Sequence, residues 1–209
     1  VVNGAVNNNG AVQLQGTGTV AFGSLAGGGP TDLGGCTLEV GRNNRSTTVS
    51  GAIGDGGLGG GLVKNGTGTM TPSAANTYRG DTLVNQGTLR IGDGSGGGAL
   101  TGSDLVTVAD AGSLVVNSTA ASPLAPGASV ESTGSIEFLN ASAGSASYRV
   151  TGSDAASSPL VFRGTADAGD AMISGIGNPY YYSTGALVRF EDNAHAGTAT
   201  IYVKGDYSL

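Results

Sequence analysis

Apolar residues in this chain recur two positions apart, with a single residue between them. The pattern runs through Val12-Gln13-Leu14, Val20-Ala21-Phe22, Leu38-Glu39-Val40, Leu89-Arg90-Ile91, Val106-Thr107-Val108, Leu114-Val115-Val116, Ile136-Glu137-Phe138, Tyr148-Arg149-Val150, Leu160-Val161-Phe162, Val188-Arg189-Phe190 and Ile201-Tyr202-Val203. The middle residue is often charged, as in Glu39, Arg90, Glu137, Arg149 and Arg189. A period of two with a polar middle marks a strand with one wet face. Helical periodicity is sustained nowhere, and the interspersed glycines would break a helix. The chain is therefore expected to be all-β. Leu89, Ile91, Leu114, Val116, Ile136 and Phe138 should point inward, with Arg90 and Glu137 outward.

The turns have a register of their own. Gly10, Gly87, Gly112 and Gly134 each precede an apolar residue by two positions: Val12, Leu89, Leu114 and Ile136. From Gly66 to Gly87 is 21 residues, to Gly112 another 25, and to Gly134 another 22. Coils of about 20–25 residues with short strands fit a parallel β-helix, a β-solenoid, in which each coil covers its neighbour. A sandwich would want longer strands and no recurrent coil. At about 22 residues per coil the chain makes roughly nine coils, on the order of 45 Å long. Residues 1–209 read as one such segment. Four stretches look irregular: Ala26 to Asp32, Gly54 to Gly61, Gly92 to Gly98, and a loop insertion at 165–182.

The stretch Gly61 to Ile91 concentrates these signals. Two glycine-threonine turns, at Gly66-Thr67-Gly68-Thr69 and Asn85-Gln86-Gly87-Thr88-Leu89, bracket Asn76-Thr77-Tyr78-Arg79-Gly80. In these elements the chain resembles the autotransporter-associated β-strand repeat of Gram-negative passenger regions. It departs at Met70 and Pro72, where that family carries an alternating Leu-x-Leu. The resemblance marks Gly66, Gly68, Asn76, Tyr78, Gly80, Gly87 and Leu89 as the repeat positions. It implies a right-handed β-helix, the hand that parallel crossovers generally take. It also implies a cell-surface or extracellular location and an outer-membrane translocation barrel outside this chain.

Composition narrows the reading. Glycine is 40 of 209 residues, far above the usual share of about 7%. With only 6 prolines and no three-residue period, repeated tight turns explain it better than disorder or collagen. Charged residues make up 11% and the net charge is −6, with no Lys/Arg run, so no nucleic-acid partner is expected. Cys36 is the single cysteine and reads as a small buried residue. The opening residues hold neither a basic nor an apolar run, so no signal peptide is expected among them. No stretch approaches the ~20 apolar residues of a membrane helix. The chain reads as a segment excised from a longer secreted protein.

Candidate chemistry is sparse. His195 is the lone histidine and reads as structural, since no Ser-His-Asp constellation follows from the sequence. Asp167 with Asp170, and Glu191 with Asp192, are the nearest carboxylate pairs for polysaccharide cleavage. The first pair lies in a loop, and strand neighbours such as the second face opposite ways. Gly54-Asp55-Gly56 and Gly92-Asp93-Gly94 do not recur at nine residues as in a calcium β-roll, and tight turns account for them. The glycine-rich loops lack the lysine of a phosphate loop. Asn44, Asn65, Asn117 and Asn140 fit the glycosylation pattern but read as turn and ladder residues. Tyr180, Tyr181 and Tyr182 are the candidate ligand contacts, able to stack on sugar rings. No catalytic residue, metal or cofactor is expected. The reading is a rigid extracellular stalk of an adhesin-like surface protein that aids its own export. Host or surface glycans and proteins, and end-to-end or lateral self-association, are its candidate partners. A polysaccharide-binding or polysaccharide-cleaving β-helix is the alternative.

Overall fold

A computed structural model describes residues 2–152, 159–177 and 186–204. Among them there is no helix, and every strand pairing is parallel. The alternating triplets and their glycine corners wind into a β-solenoid. One long sheet has ten strands: Val2–Asn7, Thr17–Ala26, Gly35–Val40, Gly61–Lys64, Thr82–Val84, Leu105–Val108, Ser129–Ser132, Ser147–Thr151, Met172–Ile176 and Thr200–Lys204. A second sheet has seven: Thr47–Val49, Thr69–Pro72, Gly87–Ile91, Gly112–Val116, Ser135–Leu139, Pro159–Arg163 and Leu187–Phe190. Each of these follows a long-sheet strand, so about seven turns are complete on both faces. The expectation of roughly nine coils overshoots these turns, because the long sheet's ten strands are not all matched by strands of the second sheet. A third side carries only two-residue strands, Val12–Gln13, Thr31–Asp32 and Ile53–Gly54 in one sheet, Ala75–Asn76 and Ala99–Leu100 in another.

Coil length varies more than the glycine spacing indicates. Thr17 pairs with Gly35, an offset of 18, whereas Met172 pairs with Thr200, an offset of 28. The extra residues go into corners and the third side, leaving the two long faces in register.

The core is built from like stacked on like. Leu89, Leu114, Ile136 and Leu160 form one column across successive coils. Val116, Phe138, Phe162 and Phe190 form another. In it the Phe138 and Phe162 rings stack at 5.1 Å, and Phe162 and Phe190 at 4.8 Å. Leu89, Ile91, Leu114, Val116, Ile136 and Phe138 are all fully buried, as the period of two demands. Arg90 and Glu137 lie on the outer face, half-buried, and Glu137 pairs with Arg163 at 3.3 Å. The pattern fails at Ile201-Tyr202-Val203, where all three side chains are exposed on the edge strand of the long sheet.

Two stretches read as irregular loops contain regular structure. Thr31–Asp32 within the first is a third-side strand. Within 165–182, Met172–Ile176 is a full strand of the long sheet. Its inward positions are Ile173 and Gly175, and glycine supplies no apolar signal. Just before it, Ala166, Ala168 and Ala171 pack the corner with no exposure at all. Small inward residues hid this coil from the hydrophobic pattern. Asn178 to Tyr182, including the three tyrosines, lies outside the described residues.

Candidate functional site at the repeat corners

The repeat residues gather at two corners of adjacent coils. The first joins the long sheet to the second. Gly66 and Gly87 both have φ near 68°, a left-handed conformation that L side chains resist. Space makes the same demand. A Cβ on Gly66 would collide with Gly41 O, and one on Gly87 with Gly66 O. Gly68 likewise has no room beside Arg45 O. The corner backbones therefore stack on each other directly.

Lys64 closes this corner from inside. It aligns with Val40 in the coil before and Val84 in the coil after, at a core-facing position. Its stem lies in the core, and its Nζ donates to Asn65 O at 2.8 Å, Gly66 O at 2.8 Å and Gln86 O at 3.0 Å. All three ammonium protons thus meet backbone carbonyls, and the residue is 1% exposed. Burial pushes its pKa down to about 8. Sequence reading missed this role, although the alternation Leu62-x-Lys64 places the lysine inward. On the rim, Asn85 Nδ2 donates to Asn65 Oδ1 at 2.7 Å, and Asn65 Nδ2 to Glu39 Oε1 at 2.7 Å. Arg42 also bonds Glu39 and, ahead of an opposing cost of burial, holds that carboxyl below its usual range.

The second corner is the third side of the coil. The strands Ile53–Gly54 and Ala75–Asn76 belong to different sheets, and the Asn76 side chain stitches the break. Its Oδ1 accepts from Ile53 N at 3.0 Å in the coil before. Its Nδ2 donates to Ala99 O at 3.0 Å in the coil after, and to Ala74 O at 2.8 Å. The amide stands in for a peptide group between two coils. Two residues on, Tyr78 is 1% exposed, and its hydroxyl meets Thr82 Oγ1 at 2.8 Å. Thr82 Oγ1 in turn meets Ser103 Oγ at 3.1 Å, which donates to Leu105 O. Burial raises the Tyr78 pKa. Gly80 packs under this chain, where a Cβ would come within 2.6 Å of Gly59 O. Leu89 completes the motif as a fully buried core residue.

The acidic turns have structural partners. Asp55 is 2% exposed and accepts from Gly57 N at 2.9 Å, Gly59 N at 2.8 Å and Arg79 N at 3.0 Å. Burial opposes its ionisation, yet these backbone donors outweigh burial and lower its pKa. Asp93 accepts from Ser95 N and Ser95 Oγ. Among the described residues, no group of three His, Cys, Asp or Glu is placed to hold a metal ion. Cys36 is buried, as read.

The structure brings Ser142, Asp167 and His195 into one column across three coils, a juxtaposition the sequence did not reveal. Ser142 and Asp167 line a polar groove of about 460 Å³ that also holds Asp170 and Thr198; His195 is not in its lining. The order defeats serine chemistry. Asp167 sits in the middle, 3.3 Å from His195 Nδ1, and Ser142 Oγ accepts from Gly144 N at 3.1 Å. A nucleophile would need the histidine beside it. Asp167 Oδ1 also accepts from Gly169 N at 2.8 Å, so both corners are side-chain-closed turns. The groove has no Arg or Lys in its lining. Glu191 pairs with Arg163 at 3.2 Å, while Asp192 accepts from Gly164 N at 3.1 Å, so these neighbours do not act as a pair. Asn44 and Asn140 accept from Thr67 N and Thr165 N in the following coils. Asn117 is 7% exposed.

Comparison with known proteins points to the same corners. The chain is 43% identical over 68 residues to the adhesin BmaC autotransporter of Brucella suis biovar 1 (strain 1330). That match covers 32% of this chain and 2% of the adhesin, so the chain spans a small fraction of its relative's length. No solved structure matches. Residues 62–91 match the passenger-associated-transport-repeat family, a span running from the strand that carries Lys64 through Asn76 and Tyr78 to Ile91. The chain therefore carries, within a β-solenoid, a passenger-associated-transport-repeat of the autotransporter type.

Proposed function

We propose that this chain is a rigid extracellular stalk segment of an adhesin-like surface protein of a Gram-negative bacterium, and that its repeat aids export. One observation carries the reading. The matched repeat coincides with adjacent coils whose corners are tied by buried side chains, Lys64, Asn76 and Tyr78, rather than by backbone pairing alone. Such ties favour closing of the coil once the chain is outside, and a coil that has closed resists slipping back. The parent protein's outer-membrane translocation barrel is the proposed partner in this step. A non-enzymatic role is supported by the groove at Asp167, where the side-chain order fits turn closure rather than catalysis. Glycan contacts at Tyr180, Tyr181 and Tyr182 and self-association remain proposals of the same reading.

The test is made in the full-length parent protein. Asn76→Asp with Tyr78→Ala should reduce passenger display on intact cells several-fold, read by surface protease accessibility, with the barrel at normal abundance. Equal surface display in variant and wild type would overturn the export role.

A further inference from the structure

The repeat match has an odd extent for a solenoid. Residues 62–91 cover one whole coil, through Ala75–Asn76, and then only two strands of the next, Thr82–Val84 and Gly87–Ile91. A structural unit would be expected to end where a coil ends. Lys64 accounts for the overrun. Two of its three carbonyl partners, Asn65 O and Gly66 O, lie in its own coil, and the third, Gln86 O, lies in the next. The coil of Lys64 alone leaves one ammonium proton without a protein acceptor. Stacking of Thr82–Ile91 supplies that acceptor and removes the ammonium from water.

The position is special within this molecule. Along the long sheet the aligned inward residues are Val40, Lys64, Val84, Val108, Ser132 and Val150. Ser132 is the other polar member, and its Oγ donates to Gly134 O at 3.0 Å within its own turn. A hydroxyl reaches one carbonyl of one coil; an ammonium on a four-carbon stem reaches three carbonyls in two. A buried cation without acceptors is costly, so an open coil with a dry Lys64 is disfavoured. Tyr78 reinforces the link from the other corner, since its hydroxyl bonds Thr82, the first residue of the next coil's strand.

We propose that Lys64 is an internal clip that couples the two coils of the repeat, so that residues 62–91 open and close as one unit. The inference deepens the proposed function by naming the device that makes the repeat a closing unit.

Two lysines make the test direct, because Lys204 is exposed on the edge strand while Lys64 is buried. The purified chain is acylated with an amine-reactive acetyl ester, and the extent at each lysine is read by peptide mass spectrometry. Hydrogen exchange is followed in parallel. Lys64 should acylate at least ~1000-fold more slowly than Lys204, as expected for a site reached only by opening. Its protection relative to denatured chain should match that of the amides in Gly61–Lys64 and in Gly87–Ile91 to within about threefold, the condition for one shared opening. Acylation of Lys64 within about tenfold of Lys204 would overturn the proposal. So would exchange in Gly87–Ile91 that far outpaces Lys64 acylation, because the second coil would then leave alone. In Lys64→Met, whose stem suits a valine column, amides of Thr82–Ile91 should exchange at least ~10-fold faster while Ser129–Leu139 is unchanged. An unchanged pattern in that variant also overturns the clip. If the variant does not fold, the wild-type comparison still decides. The readout uses purified protein, so a failed clip leaves the export reading standing, and a failed export assay leaves the clip.

Discussion

Asn76→Ala removes three hydrogen bonds at a site with no exposure. Ala74 O keeps a partner, since Ala99 N donates to it at 3.2 Å. Ala99 O also keeps the backbone N–H of Asn76 through the strand pairing, so the loss falls on Ile53 N, left unpaired in a dry corner at about 1–3 kcal/mol. The expected destabilisation is about 1–3 kcal/mol, large against ordinary surface changes of up to ~0.5 kcal/mol. Asn85→Ala is the control, since Asn85 is exposed and bonds only the Asn65 side chain. Urea melts followed by circular dichroism compare the two, and hydrogen exchange at Ile53 N localises the defect. Asn76→Asp sharpens the test. A carboxylate there would face the carbonyls of Ala74 and Ala99, so its folded pKa would be raised. Stability would then fall as pH rises through that pKa and recover on acidification. If Asn76→Ala and Asn85→Ala unfold at the same urea concentration, the amide is not the stitch between the two third-side sheets.

Tyr78→Ala should cost about 3–5 kcal/mol as a buried aromatic truncation, and Tyr78→Phe about 1 kcal/mol, because Thr82 keeps its bond to Ser103. Arg79→Ala should stay within ~0.5 kcal/mol, its side chain being exposed; equal melts for the Tyr78 and Arg79 alanine variants would remove the tyrosine from the corner's stability. Gly87→Val should fail to reach the wild-type fold on refolding, since both φ and space forbid the side chain; a native melt would contradict the corner geometry. Lys64 binds its proton less readily when folded, with a pKa of about 8, than in the unfolded chain. Its burial penalty is thus fully present below pH 8 and is relieved as pH rises toward ~10, making wild type gain up to about 3 kcal/mol on Lys64→Met across that window. Taking the difference cancels Tyr78 and Tyr148, whose raised pKa values work the opposite way at higher pH. A difference flat from pH 7 to ~10 would deny the depressed pKa.

Legibility in the sequence followed the chemistry of inward positions. Where these are large and aliphatic, as at Leu89 and Ile91 or Ile136 and Phe138, the period of two and the glycine register disclose strand, face and coil. Where they are Ala166, Ala168, Ala171 and Gly175, burial is just as complete but leaves no hydrophobic trace, and a regular coil reads as a loop. The third side is hidden for a different reason. Its strands are two residues long, too short for any period, and side chains such as Asn76 take over part of the pairing. The column of Ser142, Asp167 and His195 lies there, at offsets set by coils whose lengths differ.

Buried polar residues follow from this geometry. A solenoid coil must turn corners within a few residues, and each turn leaves carbonyls and N–H groups that the next coil cannot always reach. Glycine lets the corner backbones approach, as at Gly66 and Gly87, but it brings no partner of its own. A long or branched polar side chain from an adjacent inward position supplies one: Lys64 for carbonyls, Asn76 for both kinds of group, and Ser132 where a single carbonyl needs capping. The ammonium of Lys64 then finds its third acceptor only when the neighbouring coil is present, whereas the valines aligned with it stack with no such condition. Within the repeat, burial of the Lys64 ammonium is thereby conditional on the coil that follows.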